Sequence, residues 1–297
     1  MAKWTPWENI TIAGLPFKQV IYEKKYHTEL MGGVARIIMN RPDQMNNFSP
    51  IMNMEMGISF SDADDDPMIG AVVLTGAGDR YFGTGGDVAG EREAFERGEA
   101  YGVAGLTKEQ LGKNSTTIGK PVIARINGFC IGGSNHIAAQ CDFSIAAEYA
   151  VFGSNGPRVG SIREGKMVTY LAYRIGDKRA RELTILCQRY SAQEALEMGL
   201  VNKVVRYDKL DEEVDKWCEQ ILLGCPTVVM VRKKSYDRQD EEFGKLVSPE
   251  RGHWSPGFMG SPEQLEGSAA FMQGRQTAFW KVRKELGAAA TKMAKKE

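Results

Sequence analysis

Histidine is scarce in this chain: His27, His136 and His253 are the only three in 297 residues, and they are too dispersed to suggest a metal cluster. Cysteine offers no scaffold either. Cys130, Cys141, Cys187, Cys218 and Cys225 sit in apolar surroundings without a C-x-x-C spacing. Their odd number argues against a disulfide framework or a zinc site and for reduced thiols in a cytosol. An excess of one charge is missing as well. Lys+Arg and Asp+Glu are both 38, so the balance gives no reason to expect nucleic acid or an anionic membrane as a partner. No stretch approaches the roughly 20 apolar residues that span a bilayer. The N-terminal MAKWTPWENITIAGLPF lacks both a long apolar core and an arginine-rich amphipathic pattern, so no secretory or transit peptide is read and a soluble, cytoplasmic protein is expected.

What the chain does have is glycine at the ends of apolar runs. Residues 120–161, KPVIARINGFCIGGSNHIAAQCDFSIAAEYAVFGSNGPRVGS, read as a strand at 122–126, a turn at Gly132-Gly133-Ser134, a helix over 135–141 and a second strand at 143–146. A strand that ends in glycines and enters a helix aims unpaired backbone N–H groups at one point, where the helix dipole also favours negative charge. A second such turn, Phe82-Gly83-Thr84-Gly85-Gly86-Asp87, follows the apolar strand at 71–74. Two donors from two turns polarise one carbonyl oxygen from both sides, as in sites that stabilise enolates and tetrahedral oxyanions. No G-x-G-x-x-G opens a helix here, which sets a dinucleotide fingerprint aside.

Elsewhere, 18–26 and 34–40 alternate as paired strands around a loop in which His27 reads as a solvated turn residue, and Ser49 with Pro50 starts a helix to about residue 62. The acidic run at 62–66 reads as a solvated loop. Helices are expected at 91–99, 167–175, 178–186 and from Ser191 to 198, then a strand at 201–206 and helices at 208–223 and from Pro226. The piece YGVAGL at 101–106 suits either a mobile lid or a plain linker. Strands alternating with helices argue for α/β layering. Three segments follow: an N-terminal extension at 1–17 with Trp4 and Trp7, a core at 18–249, and a helical C-terminal arm with a basic tail at 250–297.

Asn40-Arg41-Pro42 with Asn46, then VVLTGAGDRYFGTGGD, KPVIARINGFCIGG, CDFSIAAEYAVFG and ALEMGLVNKVV, occur in that order over roughly 20–285, and together they resemble the enoyl-CoA hydratase/isomerase, or crotonase, superfamily. The resemblance implies an α/β fold, a spiral of ββα turns, with a helical C-terminal trimerisation arm. It implies a homotrimer or dimer of trimers, an acyl-CoA thioester as substrate, and no cofactor or metal besides the coenzyme A that the substrate carries. Thr84 and Gly133 match the positions that supply the family's two oxyanion-hole N–H groups, with Gly85, Gly86, Asp87, Gly132 and Ser134 around them. Asp87 and Asp142 read as caps or loop ties, and Ser134 as a tight-packing turn residue.

The side chains depart from the hydratases of the family, whose two glutamates fall at positions that here read His136 and Gly156. FGSNGPRVGS resembles instead the FGQxGPKxGS run of 1,4-dihydroxy-2-naphthoyl-CoA synthases and of hydrolases that open alicyclic oxoacyl-CoA rings, in which Gly156 and Ser161 have counterparts. The synthase's aspartate two residues after that serine reads Arg163, its leading glutamine reads Ser154, and its C-terminal tyrosine before an EG dipeptide has no match near Glu266-Gly267. His136, with an ordinary pKa near 6.5, both takes and gives a proton near neutral pH; the alternative is a buried histidine bonded to backbone. Glu164 is either a second acid/base group or the ion-pair partner of Arg163. Ser161 either binds a substrate oxygen or caps a helix. Lys281 and Arg283 of the arm are candidates for the phosphates of CoA. The expected reaction is hydrolytic C–C ring opening of an alicyclic β-oxoacyl-CoA. The alternatives are hydration of an enoyl- or dienoyl-CoA, synthase-like ring closure, and a non-catalytic acyl-CoA-binding protein of the same fold.

Overall fold

The computed structural model describes residues 3–12, 14, 16–97, 112–162, 166–247, 257–258 and 260–294. The stretch 101–106, Arg163 and Glu164 lie outside the described residues.

Two sheets organise the core. Strands β1 (Glu8–Asn9), β2 (Val20–Tyr26), β3 (Gly33–Met39) and β4 (Ile69–Gly76) continue into β6 (Val122–Ile126), β8 (Phe143–Ala147) and β11 (Lys203–Val205), in the order β1-β2-β3-β4-β6-β8-β11. From β3 onward neighbours are parallel; β1 and β2 are antiparallel additions. The second sheet is small, with β5 (Tyr81–Gly83), β7 (Phe129–Ile131), β9 (Val151–Gly153) and β10 (Tyr190–Ser191) in the order β10-β9-β7-β5. Each turn of the chain therefore places one strand in the large sheet and the next in the small one. A helix follows each time: α2 (Val88–Glu96) after β5, α3 (Gly133–Gln140) after β7 and the short α4 (Gly156–Val159) after β9. This is the expected spiral of ββα turns. The helix α1 (Pro50–Asp65) precedes these turns, capped by the Ser49 hydroxyl, which accepts from the Met52 amide.

β4 is apolar on both faces because both are covered. Val72 and Leu74 belong to the main core with Phe82, Ile126 and Phe152, while Ala71 and Val73 belong to a second core with Ile123 and Ile145. That second core is closed by α8 (Leu210–Leu222) through Leu210, Val214 and Cys218. Before it, α5 (Lys166–Ile175), α6 (Asp177–Ile185) and α7 (Ala192–Glu197) follow α4 in turn. Ser191 and Glu194 form a reciprocal capping box on α7. The long α9 (Pro226–Val247) is anchored by Lys233, which is almost fully buried and donates to the Ser115 carbonyl and Asp142. Asp142 also takes the Val122 amide, so it ties α9 to the start of β6.

Two expectations are corrected. His27 is 2% exposed and packs edge-on to Trp4; its Nδ1 accepts the Glu29 and Leu30 amides, so it is a buried turn-former. The acidic run continues helix α1 to Asp65, because its charges are matched: Asp62 and Asp66 meet Lys24, and Asp64 and Asp65 meet Lys113. The N-terminal tryptophans pack on the body, both rings lying within 5 Å of the Lys25 ammonium as 4.7 and 4.4 Å separations.

The arm comprises α10 (Pro262–Met272) and α11 (Phe279–Ala294). Their junction is held by one carboxylate: Glu266 accepts from Arg275 Nη1 and Nη2 at 2.7 and 2.8 Å and from the Ala278 amide at 2.7 Å. Arg275, and then that amide, pull the Glu266 carboxyl down to about 2. A depressed carboxyl contributes stability that is present above its unfolded value of about 4.3 and is lost as pH falls towards 2. Limited proteolysis at residues 273–278 should accelerate as pH drops through that window. Glu266→Gln should be cut readily at pH 7 and respond little to acid; equal acid sensitivity in the variant would remove Glu266 as the cause.

Candidate active site

β5, β7 and β9 lie side by side and parallel, with Tyr81 opposite Phe129 and Ile131 opposite Gly153. Their C-terminal turns therefore emerge in a row: Thr84–Gly86, Gly132–Gly133 and Ser154–Gly156. The first two touch backbone to backbone. A Cβ on Gly85, at φ +88°, would lie 2.7 Å from the Gly133 nitrogen, and one on Gly132, at φ +61°, 3.4 Å from the Thr84 carbonyl oxygen. The first approach leaves no room for a side chain, and both angles favour glycine. Ser134 locks the pair, its fully buried hydroxyl accepting from the Gly85 amide at 3.1 Å. Asn46, also fully buried, takes the Arg41 amide and donates to the Ala77 and Tyr81 carbonyls, holding the chain that leads into the first turn.

Gly133 opens α3, so its N–H is one of the amides a helix leaves without an internal acceptor. No protein acceptor takes it, or the Thr84 amide, among the described residues. The turns thus present two adjacent free donors with a helix N-terminus behind one of them. The third turn joins the row through the Gly132 amide, which donates to the Gly153 carbonyl at 2.9 Å.

A cavity lies on each side. One, of about 600 Å³, is lined by His136, Ser154, Gly156, Ser161 and apolar residues including Ile162, Val168, Phe258, Phe279 and Trp280. His136 is buried and sits in the first turn of α3, its amide bonded to the Gly132 carbonyl at 3.2 Å. Gly156 has a local reason: a Cβ there would lie 2.9 Å from the Ser161 carbonyl oxygen. The other cavity, of about 740 Å³, is lined by Thr84, Gly86 and Asp87 together with Arg41, Met45, Asn47 and Asn155. Asp87 ties this wall, meeting Arg41 at 3.0 Å and the Gly90 amide at 3.0 Å.

The structure thus gathers Thr84, Gly85, Gly86, Asp87, Gly132, Gly133, Ser134, His136, Gly156 and Ser161 around one junction. Arg283 also reaches the His136 cavity, where its Nε donates to Glu263 at 2.6 Å. Lys281 is exposed on the arm. Glu263 was not anticipated; it enters because α10 lies directly on the end of α4 that follows the third turn, where a Cβ on Gly267 would be 2.5 Å from the Gly160 nitrogen. Arg189 was missed as well, although it lines the Thr84 cavity and holds the third turn, Nη1 donating to the Ser154 carbonyl at 2.8 Å and Nη2 to Asn155 Oδ1 at 2.6 Å. It lies 34 to 35 residues along the chain from the turn residues it bonds, and no local pattern marks it.

Adjacent free amide donors beside two cavities are suited to stabilising an anion, and comparison with known proteins gives the chain a family. The enoyl-CoA hydratase/isomerase family profile matches residues 29–281, so the chain belongs to that family. Its fold is similar to an enoyl-CoA hydratase from Mycobacterium avium subsp. paratuberculosis K-10, with 25% identity, a TM-score of 0.73, and 89% of this chain covering 99% of that one. A carnitinyl-CoA hydratase from Mycobacterium avium is 28% identical at a TM-score of 0.66, with 82% of this chain and 94% of that one covered. An enoyl-CoA hydratase from Mycobacterium tuberculosis H37Rv is 28% identical at 0.61, with coverages of 76% and 91%.

The contact between the turns predicts a sharp sensitivity. Gly85→Ala must displace the Gly133 amide, and acyl-CoA turnover should fall by about 10²–10³-fold, as when an oxyanion donor is removed. Ser134→Ala, which deletes one hydrogen bond, should lower stability by about 1 kcal/mol in urea titrations and cost less activity. Near-native turnover of Gly85→Ala would dissociate this contact from catalysis.

Proposed function

We propose that this chain hydrolyses a C–C bond in an alicyclic β-oxoacyl-CoA, opening the ring. The observation that carries the reading is the makeup of the 600 Å³ cavity beside the free amides: His136 stands where a hydratase carboxylate would, and Gly156 leaves the second such position without a side chain. The acyl group occupies this cavity. The CoA portion runs along the Arg41–Asn47 wall of the other, with Lys281 of the arm for its phosphates. CoA enters as part of the substrate.

The thioester oxygen accepts from the Thr84 and Gly133 amides. His136 takes a proton as water adds to the ring ketone, and the C–C bond to the α carbon then breaks. The electron pair passes into the thioester as an enolate held by the two amides, and a proton returned to the α carbon completes the acyl-CoA product, which carries a new carboxylate. Ser161 donates to the ketone oxygen, and Glu164 is the alternative base. A second reading, hydration of an enoyl-CoA with His136 in place of the glutamates, draws support from the similar hydratases. A screen by mass spectrometry separates them: water gained with ring opening from cyclic oxoacyl-CoA esters supports the first, and water gained only by enoyl-CoA esters supports the second. Gain by neither leaves a binding protein.

His136→Ala and His136→Gln should each lower turnover per folded site by about 10²–10⁴-fold with acyl-CoA binding retained, since Gln bonds but does not titrate. Near-native turnover in the Gln variant would move the role elsewhere. The arm further suggests a trimer or dimer of trimers, because Trp280 is 82% and Met272 50% exposed. Light scattering at micromolar concentration should give a multiple of three chains, and a monomer would contradict it.

A further inference from the structure

Among the described arginines that are not exposed, Arg36, Arg41, Arg92 and Arg125 each meet a carboxylate: Glu23, Asp87, Glu96 and Asp211. Arg189 does not. Its side-chain hydrogen bonds go to a carbonyl and an amide oxygen, and the charged or ionisable groups that act on it are Cys187 and the like-charged Arg158. Burial pulls its pKa below the usual guanidinium range. A half-buried charge without a counter-charge is unfavourable, so its presence calls for an explanation in which a negative charge arrives.

Position supplies one. β10 pairs antiparallel with β9, Tyr190 opposite Phe152, which brings Arg189 over Gly153. Gly153 makes the room, since a Cβ there would lie 2.3 Å from Arg189 Nη1. The guanidinium bonds the Ser154 carbonyl, and the preceding Gly153 carbonyl bonds the Gly132 amide. Two peptide groups thus lie between the charge and the turn that carries the Gly133 N–H. Among the described residues around the row, Asp87 is paired with Arg41 and Glu263 with Arg283, so neither carboxylate cancels it.

We infer that Arg189 is the standing positive charge of this site, placed behind the third turn to stabilise the enolate that forms at the Thr84 and Gly133 amides. The inference rests on the acyl-CoA reading above. Arg189 is a positioning residue that acts by its field and through Ser154 and Asn155, with no bond to the reacting atoms. It places a positive charge behind a turn at which Gly156 carries no side chain.

The probe is acetoacetyl-CoA, a 3-oxoacyl thioester whose bound enolate is read directly from its near-ultraviolet band at saturating ligand and varied pH. Reading per bound ligand counts only folded sites. Native protein should hold the enolate at lower pH than free solution does. Arg189→Met should reduce the enolate fraction about tenfold at a given pH, which corresponds to a shift of about one unit in the pKa of the bound thioester. Arg189→Lys should restore most of it, because it keeps the charge while losing the planar fork. An unchanged enolate fraction in Arg189→Met, or a Lys variant as deficient as the Met variant, overturns the inference while the acyl-CoA reading stands. Native protein that binds no acetoacetyl-CoA overturns both.

Discussion

Everything at this site depends on two backbones meeting without side chains between them. A β-carbon on Gly85 would press to within 2.7 Å of the Gly133 nitrogen, and Gly132 meets the Thr84 carbonyl at a φ of +61° that favours glycine. The contact exists because β5 and β7 pair in parallel, which aligns the ends of two successive turns of the spiral. Asn46 and Ser134 then fix each turn from within the core, so the amides need not be ordered when a ligand arrives. Preorganisation here is a property of strand register, reinforced by two buried polar side chains.

Around that rigid centre the chemistry is carried by few groups. The cavity beside it is largely apolar, its titratable side chains among the described residues being His136, Glu263 and Arg283, of which the last two neutralise each other. On the reading proposed above, an anion here is stabilised by backbone dipoles and by the positive charge behind the third turn, where a low effective dielectric lets modest fields act. The third turn, lacking a side chain at Gly156, is shaped by what surrounds it: Arg189 from one side and helix α10 from the other.

Much of this was legible in the sequence because it is local. The glycine runs at 83–86 and 132–133 announce turns, Ser49 and Ser191 announce helix starts, and the ordered motifs announce the ββα spiral. The three-residue strands β5, β7 and β9 were harder, since so short an element has no periodicity to read and is defined by its partner. His27 and the acidic run at 62–66 misled for one reason: polar residues look solvated until their partners are known, and those partners, Trp4, Lys24 and Lys113, lie 23 to 49 residues away. Glu263 and Arg189 reach the site by tertiary packing alone, and nothing adjacent to either marks a function.

The seating of α10 has a consequence for the shape of the site. Gly267 rests on the Val159–Gly160 peptide with no side chain on either surface to absorb movement. Helix and turn therefore behave as meshed parts without play. A tilt of the arm is passed directly to Gly156–Ser161, and the gap between that loop and His136 widens or narrows with it. The bore of the cavity beside His136 is thus set from outside the spiral, by how the arm is held.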